Sequence, residues 1–424
     1  MKVLWLCNII LPKISKNISK PINNYGGWLT SLSDDVLTKD NVKLHIVFPL
    51  SQHAEEVGEV EGLKYISFNP KNGLEKYDKS LKNNFIKIIK QINPDIIHIF
   101  GTEFPHTFSM IEAAEFIGLE KRIIIHIQGL ISIYEKHSYA SLPQKVIKNY
   151  TVRDFFKKDN IKLRRIKYEQ LGQYEIKSLS KVSYVTGRTT WDLACVKQIN
   201  PSINYFHFNE SLRDVFYENQ WNFDNCEKYS IFTSQGSSPI KGFHYLLKAL
   251  SIVVLQYPQV KLYVAGVNLY AINKLRLTYY QKYLLNLINT LGLSSNIVFV
   301  GVINETQMCE ILLRSNIFVL PSSIENSPNS LGEAMILGVP SISSYVGGVP
   351  DMITHNKEGF LYSADAPYML AYYINKVFSS DKNEITQLSE KARERALDTH
   401  NRANNLKNLL EIYKKIIYLD KNIL

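Results

Sequence analysis

Hydrophobic residues along this chain fall into two alternating rhythms. Short unbroken apolar runs at 3–7, 43–48, 64–68, 95–100, 122–127, 182–185 and 204–208 read as strands. Between them, segments 28–37, 77–92, 106–117 and 189–199 repeat their apolar residues at the spacing of one helix face. The rhythm then starts again, with strands at 229–235, 261–266, 297–301, 317–320 and 341–344 and helices at 243–256, 275–291, 305–315 and 331–337. Strands that are apolar throughout, rather than on alternate residues, are buried on both faces. The pattern therefore predicts parallel sheets covered by helices on each side. Ligands in such sheets gather at the carboxyl ends of the strands.

Two successive alternations imply two doubly wound α/β domains, and 424 residues is too long for a single core. The polar and aromatic stretch 210–228 reads as the linker with its packing, and the second domain begins near Tyr229. Helical patterns fill most of 367–424, with 402–419 the candidate for a last helix. A hydrophobic content of 45% with 20 Gly and 15 Pro is ordinary globular composition and argues against disorder. Cys7, Cys195, Cys226 and Cys309 show no paired spacing, which points to a reducing cytoplasm and away from a zinc site. No apolar run is long enough to span a bilayer, and the opening MKVLWLCNII reads as a strand rather than a signal peptide. The net charge of +10 suits an anionic partner: a nucleotide, a nucleic acid or an acidic membrane surface.

Chemistry concentrates in residues 317–340, IFVLPSSIENSPNSLGEAMILGVP. A strand ends at Pro321, a polar loop carries Glu325, and a helix opens at Pro328, Asn329 and Ser330 with Glu333 just inside it. Free amides at a helix start attract an anion, and a carboxylate beside them can hold hydroxyls; a nucleotide sugar needs both. Taken alone, Glu333 would be a first-turn acid complementing the helix dipole and Glu325 a solvated loop acid. Lys241, in the strand-to-helix segment Ser237-Ser238-Pro239-Ile240-Lys241-Gly242, can neutralise diphosphate charge. That segment lacks the G-K-[ST] ending of a phosphate-binding loop, so a kinase or ATPase reading is poor. Gly26 and Gly27 open a helix where the backbone can approach a ligand, and the glycine-rich Gly347-Gly348 loop after strand 341–344 can close on one.

Glu325, seven residues, then Glu333, with Gly332 and Ala334 around the second acid, resembles the signature of retaining GT-B glycosyltransferases of the large group 1 family, which includes many bacterial capsule, exopolysaccharide and lipopolysaccharide sugar transferases. The matching features at Gly26-Gly27, Lys241 and Gly347-Gly348 extend the resemblance over nearly the whole chain. It implies two Rossmann-like domains facing a cleft: an acceptor-binding domain at 1–210, a nucleotide-sugar domain at 211–401 and a C-terminal helix, 402–424, crossing back onto the first. It further implies donor contacts from Gly26, Gly27, Ser237, Lys241, Glu325, Asn329, Ser330, Leu331 and Glu333, the last on the ribose diol. His126, Glu325 and Lys241 take catalytic roles, with His126 near the donor sugar. A lone His on an apolar strand is otherwise more often a core residue, as His98 is read here. Glu103, Gln128 and Gly129 would hold acceptor hydroxyls. The donor expected is a nucleoside diphosphate sugar, uridine favoured over guanosine, used with retention, without a metal and without a further cofactor. The family pattern carries an Arg five residues before the Lys; Gly236 stands there, and Arg188 or the Ser237 and Ser238 hydroxyls are the candidate substitutes.

The run 157–167 places Lys157, Lys158, Lys162, Arg164, Arg165 and Lys167 among apolar residues, as a helix lying on an anionic membrane would. A lipid-linked or glycan acceptor and a cytoplasmic, peripheral location follow from that reading; a solvated charged face is the plainer one. Two other classes compete. A dinucleotide-dependent oxidoreductase would need G-x-G-x-x-G after the first strand, which is missing. A nucleic-acid-binding protein would arrange its cations around a reading element, and no such element is visible, so no nucleic-acid partner is expected.

Overall fold

The computed structural model describes residues 1–21, 26–51 and 55–421, which divide into two compact units. Unit 1 takes 1–133, 168–212 and the residues from 400 onward; unit 2 takes 134–167 and 213–399. Both are α/β folds on a largely parallel sheet.

Unit 1 holds β1 (Lys2–Leu6), β2 (Lys43–Pro49), β3 (Val57–Val60), β4 (Leu63–Phe68), β5 (Ile96–Phe100), β6 (Ile123–His126), β7 (Tyr184–Gly187) and β8 (Asn204–His207). Their spatial order is β3-β4-β2-β1-β5-β6-β7-β8. Among the described strands of unit 1 only β3 runs antiparallel, on β4 at the edge. The central strands β1, β5 and β6 are apolar and almost wholly buried because two cores sandwich them. One core includes Leu4, Phe85, Ile88 and Ile111, the other Trp5, Trp28, Leu32 and Tyr413. Tyr413 lies on the last helix, Arg402–Lys421, and fastens it from inside: its hydroxyl accepts from Trp5 Nε1 (3.0 Å) and lies 2.6 Å from His98 Nδ1. Arg402 pairs with Asp35 and Arg122 with Asp420 around the rim of the same helix.

Unit 2 holds β9 (Glu227–Thr233), β10 (Lys261–Ala265), β11 (Ile297–Gly301), β12 (Ser315–Leu320), β13 (Ser341–Ser344) and β14 (Phe360–Tyr362), all parallel in the order β11-β10-β9-β12-β13-β14. The order reverses between β9 and β12, which makes their carboxyl ends the topological switch point.

Three expectations need correction. Residues 134–167, expected in the first domain, group with unit 2, because Ala140 O accepts from Tyr245 Oη (2.7 Å) and lies 2.9 Å from His244 Nε2, while Thr151 Oγ1 donates to Leu277 O (2.9 Å). The helix expected at 275–291 spans Tyr279–Thr290, because Thr278 and Gln281 form a capping box that starts it there. The basic run 157–167 is broken rather than a single helix: Lys158 adopts φ 51° after the helix Val152–Lys157, and Asn160 Oδ1 accepts the Leu163 amide as the next helix opens.

Candidate active site

Strands β9 and β12 flank the switch point, and each releases one loop there. The loop after β12 runs from Pro321 into the helix Asn329–Leu337; the loop after β9 carries Ser237, Ser238 and Lys241. The two are fastened to each other. Ser323 N donates to Ile240 O (2.7 Å), and Gly242, at φ 69°, is so close to the other loop that a Cβ would lie 1.7 Å from Pro321 O. Gly347 does the same from β13: a Cβ there would lie 1.8 Å from Glu325 O, and Gly348 N donates to that oxygen (3.1 Å). Neither position tolerates a side chain, so the three loops can meet only through glycine.

Their meeting brings Lys241 to Glu325. Lys241 Nζ donates to Glu325 Oε1 at 2.6 Å, and Ser322 Oγ donates to the same oxygen at 2.7 Å. Glu325 is buried, whereas the Lys241 side chain remains 28% exposed and has ammonium donors to spare.

Glu333 lies on the first turns of Asn329–Leu337, only 4% exposed, with Arg213 Nε and Nη2 on its Oε1 (2.8 and 2.7 Å). Burial pushes its carboxyl up to about 7; Arg213 opposes that rise and Glu305 adds to it. Arg213 is itself held over the Phe216 ring (4.9 Å to the centroid) and bonds Met308 Sδ. Reading 210–228 as a linker missed it. The available signal was an arginine beside the short aromatic run DVFY, which forms the helix Asp214–Tyr217.

Pro328 starts the helix with no side-chain cap, and of the expected amides that of Leu331 is taken by Pro328 O (3.0 Å). The candidate anion seat is the helix opening at Asn329 and Ser330, by the position of its backbone and the helix dipole. Gly236 has a packing reason to lack the family's arginine: a Cβ there would press on Val264 at 3.1 Å and on the Phe243 ring at 3.2 Å. The cations unit 2 sets against the two acids are Lys241 and Arg213.

Unit 1 gathers the other expected residues at the ends of β5, β6 and β7. His126 is fully buried; its Nδ1 lies 2.9 Å from Thr186 Oγ1 and its Nε2 3.1 Å from Glu210 Oε1. Both ring nitrogens are thus engaged within unit 1, which suits support better than contact with a sugar. Glu210, also missed in the linker, accepts from Gln128 Nε2 (2.7 Å) and pairs with Arg188 Nη1 (2.6 Å). Burial raises its carboxyl, but Arg188, His126 and Gln128 outweigh that and hold it at about 2. Arg188, the candidate substitute for the missing cation, is therefore committed to Glu210. Glu103 accepts from Asn8 Nδ2 (3.0 Å) and is pushed up to about 7 by burial. Gly129 is buried beside Gln128. Glu175, a further residue missed in the sequence, ties the loops after β5 and β6 by accepting from Thr102 Oγ1 (2.6 Å), Ile131 N (3.1 Å) and Ser132 N (2.9 Å). Gly26, at φ 73°, opens the helix Gly27–Leu37 and packs so tightly that a Cβ would lie 2.1 Å from Ile9 Cδ1. The loop before it, expected over 8–25, contains the helix Pro12–Asn17, and its residues 22–25 lie outside the described ones.

Residues 216–395 match the family described as "Glycosyl transferases group 1". This part of the chain is a group 1 glycosyl transferase domain. The match contains β9 to β14, both acids and Lys241, so the switch-point loops belong to the group 1 domain. The spore coat protein SA of Bacillus subtilis is 28% identical over 182 residues, 42% of this chain and 46% of that protein. The chain spans about half the length of the curated relatives it matches. Among solved structures, sucrose-phosphate synthase from Thermosynechococcus elongatus superposes with a TM-score of 0.71 at 14% identity, covering 99% of this chain and 100% of that one. Anabaena HepE, solved with UDP and glucose, superposes with a TM-score of 0.66 at 15% identity over 98% of this chain and 100% of that one. Around its group 1 domain the chain has the GT-B fold, two parallel-sheet α/β domains with a helical C-terminus.

Proposed function

We propose that this chain transfers a sugar from a nucleoside diphosphate sugar, with UDP favoured over GDP, to a hydroxyl of a glycan or lipid-linked acceptor in cell-surface polysaccharide synthesis. The observation that carries the reading is two buried acids, each paired with a cation, at the switch point of unit 2. Glu333 takes the ribose diol. Lys241 and the helix opening at Asn329 and Ser330 take the diphosphate, with Ser237 beside them. Glu325 holds the donor sugar's hydroxyls. Gln128, Gly129 and Glu103 hold the acceptor, and His126 keeps Gln128 and Glu210 in position. The reaction needs no metal or further cofactor: the acceptor oxygen bonds to the anomeric carbon as its bond to the phosphate oxygen breaks, and the acceptor proton passes to the departing diphosphate. Attack from the side the diphosphate leaves retains the anomeric configuration. The place of action is the cytoplasmic membrane face, with the protein peripheral. Calorimetric titration with UDP-glucose, GDP-mannose and NAD, followed by NMR of the slowly hydrolysed donor, tests this. The expected result is UDP-sugar binding and release of sugar with its starting configuration. Binding of NAD with no response to either nucleotide sugar would overturn it.

A further inference from the structure

Unit 2 carries an apolar cluster that the transfer reaction does not use. The helix Val152–Lys157 presents Val152, Phe155 and Phe156 outward at 70, 64 and 77% exposure, with Tyr150, 58% exposed, just before it. The rings are gathered: Tyr150 and Phe155 lie 5.9 Å apart, Phe155 and Phe156 5.7 Å. Against this helix packs the turn Lys274–Arg276, far away in sequence, whose Leu275 is 79% exposed.

The helix cannot turn these residues inward. Thr151 and Asp154 form a capping box; Asp154 Oδ2 also accepts the Tyr279 amide (2.7 Å), and Thr151 Oγ1 donates to Leu277 O. Those bonds hold the polar side of the helix on unit 2 and leave the aromatic side in water. Lys145, Lys148, Lys157, Lys158, Lys162, Lys274 and Arg276 are exposed along the same segments. The carboxylates of the helix segment are turned away: Asp154 is buried, and Asp159 is taken by Arg153 (3.1 Å) and Arg164 (2.8 Å). Apolar residues projecting from a rigid base, among uncompensated cations, suit a bilayer with acidic headgroups: the rings enter the acyl boundary while the ammonium groups stay at the phosphates.

We infer that Tyr150, Val152, Phe155, Phe156 and Leu275 form a wedge that docks unit 2 on an anionic lipid surface. This deepens the lipid-linked acceptor reading and relocates the membrane contact. Within the basic run, Arg164 and Arg165 are bound to Asp159 and Glu135, so the exposed lysines and the aromatic wedge carry the interaction.

The test is co-sedimentation of the full chain with phosphatidylcholine vesicles, with and without phosphatidylglycerol, at low and high salt and without nucleotide, so its outcome is independent of the donor reading. Wild type should bind only the anionic vesicles. Phe155→Ser/Phe156→Ser should lose at least about tenfold in partitioning, and Lys157→Glu/Lys158→Glu about fivefold per lysine at low salt. Both variants should keep wild-type thermal midpoints, since all four side chains are exposed. Equal partitioning of wild type and the aromatic variant overturns the inference. So does a wild-type dimer that the aromatic variant turns into a monomer without any vesicle binding, since a second copy would then cover the wedge.

Discussion

Replacing Arg213 with Met keeps the apolar contact with Phe216 and removes the cation on Glu333. The consequence follows from the pKa of that acid. A carboxylate accepts hydrogen bonds from both hydroxyls of a diol, whereas a protonated carboxyl offers one fewer acceptor and an unwanted donor. With Glu333 pushed up to about 7, its ionised fraction falls from about nine-tenths one pH unit above that value to about one-tenth one unit below it. If only the ionised form holds the ribose, donor affinity drops about tenfold over that interval, about 1.4 kcal/mol. The probe must be UDP-glucose rather than UDP, because a terminal phosphate itself titrates near pH ~6. Calorimetry across this range should show wild-type affinity rising with pH to a plateau above about pH 8. In Arg213→Met the opposition to burial is lost, so the carboxyl rises further and the whole curve moves to higher pH. Glu333→Gln, which cannot ionise, should give weak and pH-independent binding.

The same group acts on folding with the opposite preference. A carboxyl whose folded value lies above its ordinary 4.5 holds its proton more tightly in the native state, so stability falls as pH climbs from 4.5 toward about 7. The form proposed to bind donor is thus the form the fold tolerates least, and Arg213 limits the difference. A flat affinity profile in wild type, or an Arg213→Met curve lying on the wild-type one, would refute the reasoning.

Two further perturbations address the loops. Glu325→Gln frees Lys241 for the diphosphate, so UDP should bind up to about fivefold tighter, the worth of a partly exposed ion pair. Turnover of the sugar donor should meanwhile fall by about a hundredfold; weaker UDP binding would show that Glu325 does not compete for the lysine. Gly242→Ala forces a Cβ onto Pro321 O at a left-handed φ and should cost about 2 kcal/mol, about 6 °C in thermal midpoint. Gly266→Ala, also left-handed at φ 95° but with nothing within 4 Å, isolates the conformational part and should cost about 1 kcal/mol; equal losses in scanning calorimetry would show that the loop contact contributes nothing.

How much of this was legible in the sequence divides along a physical line. Unbroken apolar runs mark strands buried on both faces, so β12, β13 and the helix Asn329–Leu337 were readable near their observed limits. The edge strand β3, Val-Gly-Glu-Val, buries little and gave no run to read. The helix Pro12–Asn17 was hidden for a similar reason, since Ile14 and Ser15 are its only buried residues. At the candidate site, the family resemblance singled out Glu325, Glu333 and Lys241, but their partners are set by tertiary contact. Arg213 reaches Glu333 across 120 positions, and Lys241 reaches Glu325 across 84. No local pattern encodes a pair of that kind. Likewise 134–167 joins unit 2 through scattered contacts of Ala140, Asn149, Thr151 and Asp154 that leave no periodic trace.

The pairs also bear on what replaces the absent arginine. With both acids ionised, each acid of the switch point is matched by one cation, although the diphosphate of the proposed donor needs positive charge. A side chain at position 236 would press on Val264 and Phe243, and Arg188 is bound to Glu210. The positive field must then come from elements already present. The Lys241 ammonium can keep one donor on Glu325 and turn others to phosphate, and the uncapped helix opening at Asn329 and Ser330 adds a partial charge that requires no side chain. A pocket built this way depends on the position of its backbone more than on its count of cations. That dependence gives a physical reason for closing the three loops on Gly242 and Gly347, where even a methyl group would push the amides out of place.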